Sequence, residues 1–146
     1  MREKSQDAML NILLGGIVRL MEGKFMGIYK SKLFHKWAGK EGLTDASLKA
    51  AVDEMEDGLI DTVLGGQVYK KRVPIEGQGK SSGLRTILAF KVGNKAFFMY
   101  GFAKNELGNI SPKELKALKA MTKELLGYNV KQLEKTVKMG SLIEVK

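Results

Sequence analysis

A chain of 146 residues that is 44% hydrophobic suits one compact domain with a real core and gives no reason to invoke a second. With 25 Lys and Arg against 16 Asp and Glu the net charge is +9, so the partners to expect are nucleic acid, an anionic membrane or an acidic protein. The absence of cysteine removes disulfides, thiolate metal sites and cysteine nucleophiles, and is compatible with a reducing cytoplasm.

From the start of the chain, Met9 to Met21 (MLNILLGGIVRLM) is apolar but interrupted by Gly15, Gly16 and Arg19, and it falls short of the about 20 apolar residues of a membrane span. Arg19, Glu22 and Lys24 stand where a signal-peptide cleavage site belongs, which argues against export. Residues 1–25 therefore read as an N-terminal extension, either preceding a true start at Met26 or forming a dispensable helix. Residues 26–146 read as the single folded domain.

The spacing predicts a short strand over Gly27 to Ser31 and a helix over Lys32 to Glu41, with Leu33, Phe34, Trp37 and Ala38 inward and Lys32, Lys36 and Lys40 outward. Gly42 ends it, and Thr44 and Asp45 are cap candidates for a second helix packed through Leu48, Ala51, Val52 and Met55. The two form an α-hairpin. Leu64, Gly65 and Gly66 read as a breaker, followed by strands over Gln67 to Val73, Leu84 to Lys91 and Lys95 to Ala103, the last two joined at Gly93-Asn94.

Between the first two of these strands lies a glycine-rich loop, Pro74 to Gly83. Ser111, Pro112 and Glu114 make a capping box that opens a helix carrying Leu115, Leu118, Met121 and Leu125. A shorter helix follows over about Val130 to Met139, then a tail in which Leu142, Ile143 and Val145 suit an edge strand. The fold class is α+β: an antiparallel sheet of about four strands with an N-terminal helical hairpin and C-terminal helices.

Strand alternation places Lys70 and Arg72 on one face, away from Tyr69, Lys71 and Val73, and places Arg85 with Ile87 and Ala89. If the strands pair through the glycine loop, Arg85 joins Lys70 and Arg72 in one cationic cluster. A basic strand is often only a solvated surface. Here the scarcity of acidic neighbours between Tyr69 and Glu106 and the adjoining loop favour a phosphate-binding role.

Two other signals point elsewhere than chemistry. The GQGKS segment lacks the first glycine of a phosphate-binding P-loop, because Pro74 occupies that position and a strand follows. His35, the only histidine, falls on the polar side of its helix and reads as a surface residue.

The order of a helical hairpin, then YKKRV, GKSSGLRTILAF and FFMYGFAKNE, then a capped helix resembles the RelE superfamily of bacterial toxins, in its HigB-like branch. The likeness covers about residues 26–146. It implies an endoribonuclease that cuts mRNA, commonly in the ribosomal decoding site in the cytoplasm, without metal or other cofactor, and that is silenced by a cognate antitoxin protein. Lys70 and Arg72 match the family's paired basic residues, and Arg85 matches the arginine after the glycine loop. Asn105 stands where some members place a second arginine, and Ser111 where some place a tyrosine.

Cutting RNA in this way requires deprotonating a 2′-hydroxyl, stabilising the phosphorane and protonating the leaving 5′-oxygen. Lys70, crowded by Arg72 and Arg85, is the candidate base, since neighbouring positive charge disfavours its own. Arg85 is the candidate phosphate clamp. Lys71, Lys80, Tyr100, Lys104 and Asn105 are candidate RNA contacts, with Tyr100 or Tyr69 stacking on a base, lending a hydroxyl or packing in the core. The alternatives are a catalytically inactive toxin-fold protein that binds a protein target or its antitoxin, and a general RNA-binding module.

Overall fold

The computed structural model describes residues 27–77, 83–103 and 110–146. The N-terminal extension, Met26, Lys80, Lys104 and Asn105 lie outside the described residues.

Strand β1 (Gly27–Ser31) leads directly into helix α1 (Lys32–Glu41), whose N-terminus is capped by the Ser31 hydroxyl accepting from the Phe34 N–H. Gly42 closes α1 in the left-handed conformation, and its N–H returns to the Ala38 carbonyl. Helix α2 (Asp45–Glu56) is capped by Thr44 and buries Leu48, Ala51, Val52 and Met55, the four inner residues that periodicity selects. On α1 the inner face is centred between Phe34 and Ala38, so Leu33, about 120° round the helix from that centre, is 64% exposed rather than inward.

Strands β2 (Thr62–Gly65), β3 (Val68–Val73), β4 (Leu84–Lys91) and β5 (Lys95–Phe102) follow, then helices α3 (Pro112–Leu126) and α4 (Val130–Lys138) and strand β6 (Leu142–Glu144). They form a six-stranded sheet in the order β2-β3-β4-β5-β1-β6. This corrects the expectation of about four antiparallel strands. β1 lies parallel to β5, so the sheet is mixed, and β2 and β6 add an edge on either side.

The supposed breaker at Leu64 to Gly66 is the end of β2 and its turn. Gly66 and Gln67 both have positive φ, the conformation of a two-residue hairpin turn whose twist matches its strands. A strand of four residues ending in glycines carries too little alternation to stand out in the sequence.

Each sheet face is covered by its own helix pair. Tyr69, Val73, Leu84, Leu88, Phe90, Ala96 and Phe98 pack with the α1–α2 hairpin. On the other face Val68, Ile87, Ala89, Phe97 and Phe102 pack with Leu125 of α3 and Leu133 of α4. On α3 the inner position is Thr122, whose hydroxyl donates to Met99 Sδ at 3.5 Å, while Met121 turns outward at 40% exposure.

Gly101 lets α1 approach β5, since a Cβ there would lie 2.1 Å from the Trp37 ring. Gly101→Ala is expected to lower stability by about 3 kcal/mol, because a core ring must move. Urea unfolding followed by Trp37 fluorescence measures it.

Asp45 ties three segments together: Lys30 Nζ donates to Oδ1 at 2.8 Å and the Lys146 N–H to Oδ2 at 2.9 Å. Burial pushes the Asp45 carboxyl up, but the hydrogen bonds from Lys30 and Lys146 and the charges of Lys30 and His35 outweigh it and hold the group below its ordinary range. The unfolded chain therefore binds the Asp45 proton first on acidification. Its stabilising contribution is complete above the unfolded value of about 3.9 and is lost as pH falls through the lower folded value. Asp45→Asn is expected to flatten the acid limb of stability against pH, measured by thermal melts across that range.

Candidate active site

Registry of β3 against β4 sets the geometry. Arg72 lies directly opposite Arg85, Lys70 opposite Ile87, and on the outer side Lys70 is opposite Thr62 of β2. On β5, Ile87 is opposite Tyr100 and Arg85 opposite Phe102. Lys70, Arg72, Arg85 and Tyr100 therefore share the sheet face that also carries α3 and α4, at the end where β3 and β5 finish and β4 begins.

The Arg72 N–H is turned away from β4, donating to Asp61 Oδ2 at 2.7 Å. The Arg72–Arg85 pair is consequently a non-hydrogen-bonded one, in which opposed side chains stand closest, at a Cα separation of about 4.5 Å. Two guanidinium groups so placed repel each other. Asp61 moderates that charge from 4.0 Å, too far for a hydrogen bond to the guanidinium, and Arg72 remains 45% exposed. Arg85 Nη1 donates to the Gly83 carbonyl at 2.8 Å, which orients its guanidinium at the mouth of the glycine loop. Lys70 is half-buried and makes no ion pair among the described residues.

Lys71 does not join them. Its side chain enters the opposite face, 1% exposed, where Nζ donates to Glu54 Oε1 at 2.8 Å and to the Leu59 carbonyl at 3.0 Å. The expectation that Lys71 contacts RNA is corrected: the two-residue period that exposes Arg72 sends its neighbour into the α2 interface. Tyr69 also faces that side, in edge contact with Phe90 at 5.8 Å, which settles its alternatives in favour of the core. Tyr100 is half-buried beside Phe102, with ring centroids 6.2 Å apart. His35 is exposed on α1, and Ser111 caps α3, accepting from the Glu114 N–H while Glu114 accepts from Ser111.

Asp61 is a residue that sequence reading missed. It lies in a bend between α2 and β2, outside every predicted element, and only the β2–β3 pairing brings it to Arg72. Among the described residues no group of three His, Cys, Asp or Glu stands close enough together to hold a metal ion, and no helix is long and apolar enough to cross a membrane.

A family profile described as RelE toxin of the RelE / RelB toxin-antitoxin system matches residues 26–145. The chain belongs to the RelE toxin family. No curated protein matches it. Membership of the family implies an antitoxin partner and an RNA target connected with translation.

Lys71 and Arg72 are adjacent in sequence and opposite in placement, so their substitutions separate stability from activity. Lys71→Ala is expected to cost about 2–3 kcal/mol, below the full value for a buried pair because Glu54 is partly exposed. Cleavage per folded molecule should be unchanged. Arg72→Ala should leave the melting temperature within a few degrees of wild type and depress cleavage. Thermal melts and RNA-cleavage assays on the same preparations measure both.

Proposed function

We propose that this chain is the toxin of a HigB-like toxin–antitoxin pair, a cytoplasmic, metal-independent endoribonuclease that cuts mRNA on the ribosome, inhibits translation and is silenced by its cognate antitoxin. Residues 26–146 are the toxin unit of this reading, and residues 1–25 a dispensable extension. The observation that carries it is the Arg72–Arg85 pair: like charges set directly opposite across two strands destabilise the sheet, and a bound phosphate removes that repulsion.

In the reaction, the 2′-oxygen attacks the adjacent phosphorus and the bond to the 5′-oxygen breaks. One proton leaves the 2′-hydroxyl, and one is delivered to the 5′-oxygen from water. Arg85 and Arg72 hold the non-bridging oxygens and meet the charge that grows in the transition state. Lys70, one residue pair along the same face, takes the 2′-hydroxyl proton. Tyr100 offers an aromatic surface to a base. Lys80, Lys104 and Asn105 contact flanking nucleotides in this reading. With only these groups to move protons, the ribosome contributes by fixing the message in a reactive conformation.

Induced expression in a bacterium, with growth scored and mRNA 5′ ends mapped, tests the reading. Wild type should arrest growth and generate new 5′ ends. Arg85→Ala should reduce cleavage by about 10²–10³-fold, the usual cost of losing one group that stabilises a transition-state oxyanion. Lys70→Ala should fall at least as far. Arrest with intact message would instead mark a toxin-fold protein that acts by binding.

A further inference from the structure

Helix α3 carries Lys116, Lys119 and Lys123, whose spacing confines them to an arc of about 60° at 100° per residue. All three are exposed, and none forms an ion pair among the described residues. The arc flanks the inward face made by Leu118, Thr122 and Leu125. Two contacts fix where it points. A Cβ at Gly65 would lie 3.2 Å from Lys119 Nζ, and one at Gly66 3.4 Å from Lys119 Cγ, so the lysine stem lies along the bare backbone of the β2–β3 turn. Lys95 Nζ donates to the Tyr128 carbonyl at 3.0 Å, which puts the C-terminal end of α3 at the start of β5.

Thr122 meets Met99 and Tyr128 meets Lys95, so the helix descends β5 toward its Lys95 end, and its lysines are turned to the β2–β3 turn, which lies at that same end with Lys70 between it and Arg72. Lys70 and Arg72 lie on that same face of β3. The acidic residues Asp53, Glu54, Glu56 and Asp57 belong to α2 and its cap, across the sheet.

We infer that Lys116, Lys119 and Lys123 bind phosphates of single-stranded RNA, extending the Lys70–Arg72–Arg85 cluster into one track that holds the nucleotides to one side of the scissile bond. The inference rests on the RNA-cutting reading. Bare glycine backbone at positions 65 and 66 has a function in it: positive φ makes the turn, and the missing side chains leave room for Lys119 against the sheet.

The test compares the full chain with Lys116→Gln/Lys119→Gln/Lys123→Gln, measuring affinity for a fluorescent 2′-O-methyl RNA oligonucleotide, which cannot be cut, over a salt series. A single strand contributes a slope of about 0.7 per phosphate contact in log K against log salt, so the variant should lose about 2 from the slope. Lys116→Gln/Lys123→Gln, which leaves Lys119 over the turn, should lose about 1.4. A control on α4, Lys131→Gln/Lys135→Gln/Lys138→Gln, removes equal charge and should leave the slope unchanged.

An unchanged slope in the α3 variants, an equal loss in the α4 control, or a wild type that binds no RNA overturns the track. So does an unchanged RNA slope accompanied by lost binding of polyglutamate, which assigns the stripe to an acidic protein. Cleavage of ribosome-bound message by wild type is scored in parallel: cutting with an unchanged slope ends the track alone, whereas the expected slopes without cutting end only the nuclease reading.

Discussion

The register between β3 and β4 is the constraint on which the rest depends. β4 is buried on both faces, with Leu88 and Phe90 against the helical hairpin and Ile87 and Ala89 against the C-terminal helices. A slip of one residue in β3 would carry Arg72 into the α2 interface and put Lys71, Tyr69 and Val73 on the cationic face. Thr86, which donates to the Lys71 carbonyl at 2.8 Å, and the Lys71–Glu54 bond both hold the observed register from the buried side. A stabilising contact in the core thus aligns the arginines opposite one another at the surface.

Charge is separated by the sheet. The α2 helix brings its acidic residues to one side, where Glu54 binds Lys71 and Glu56 accepts from the Gly93 N–H at 2.9 Å. On the other side Asp61 is the carboxylate beside Arg72. An α2 rich in carboxylates and an α3 rich in lysines on opposite faces leave the cationic cluster with little internal neutralisation. A polyanion is then attracted to one face in particular rather than to the molecule at large.

Much of this was legible in the chain itself. Capping residues marked the starts of α2 and α3, because Thr44 and Ser111 act on donors three residues away, a distance local sequence contains. Alternation put Lys70 and Arg72 on one face for the same reason. The signal failed where the answer depended on partners remote in sequence. β2 is short and glycine-ended, β1 finds a parallel neighbour in β5, and Leu33 and Met121 lie off their helices' inner faces by an amount set by what packs against them. Lys71 was offered to RNA because its neighbours are basic, and no local feature announced that Glu54 and Leu59 would enclose it.

By itself, then, the sequence determined the α+β class, the helix starts, the excess of positive charge between Tyr69 and Glu106, and the sharing of a face by Lys70 and Arg72. Propensity, capping and period act over a few residues, and those results need nothing more. Only the tertiary structure decided that Arg72 stands opposite Arg85, that Asp61 attends it, that Lys71 is buried, and that Lys119 lies on the Gly65–Gly66 turn. Each of these joins elements whose relative position is set by packing across the sheet, a long-range balance of burial and register that no local pattern encodes.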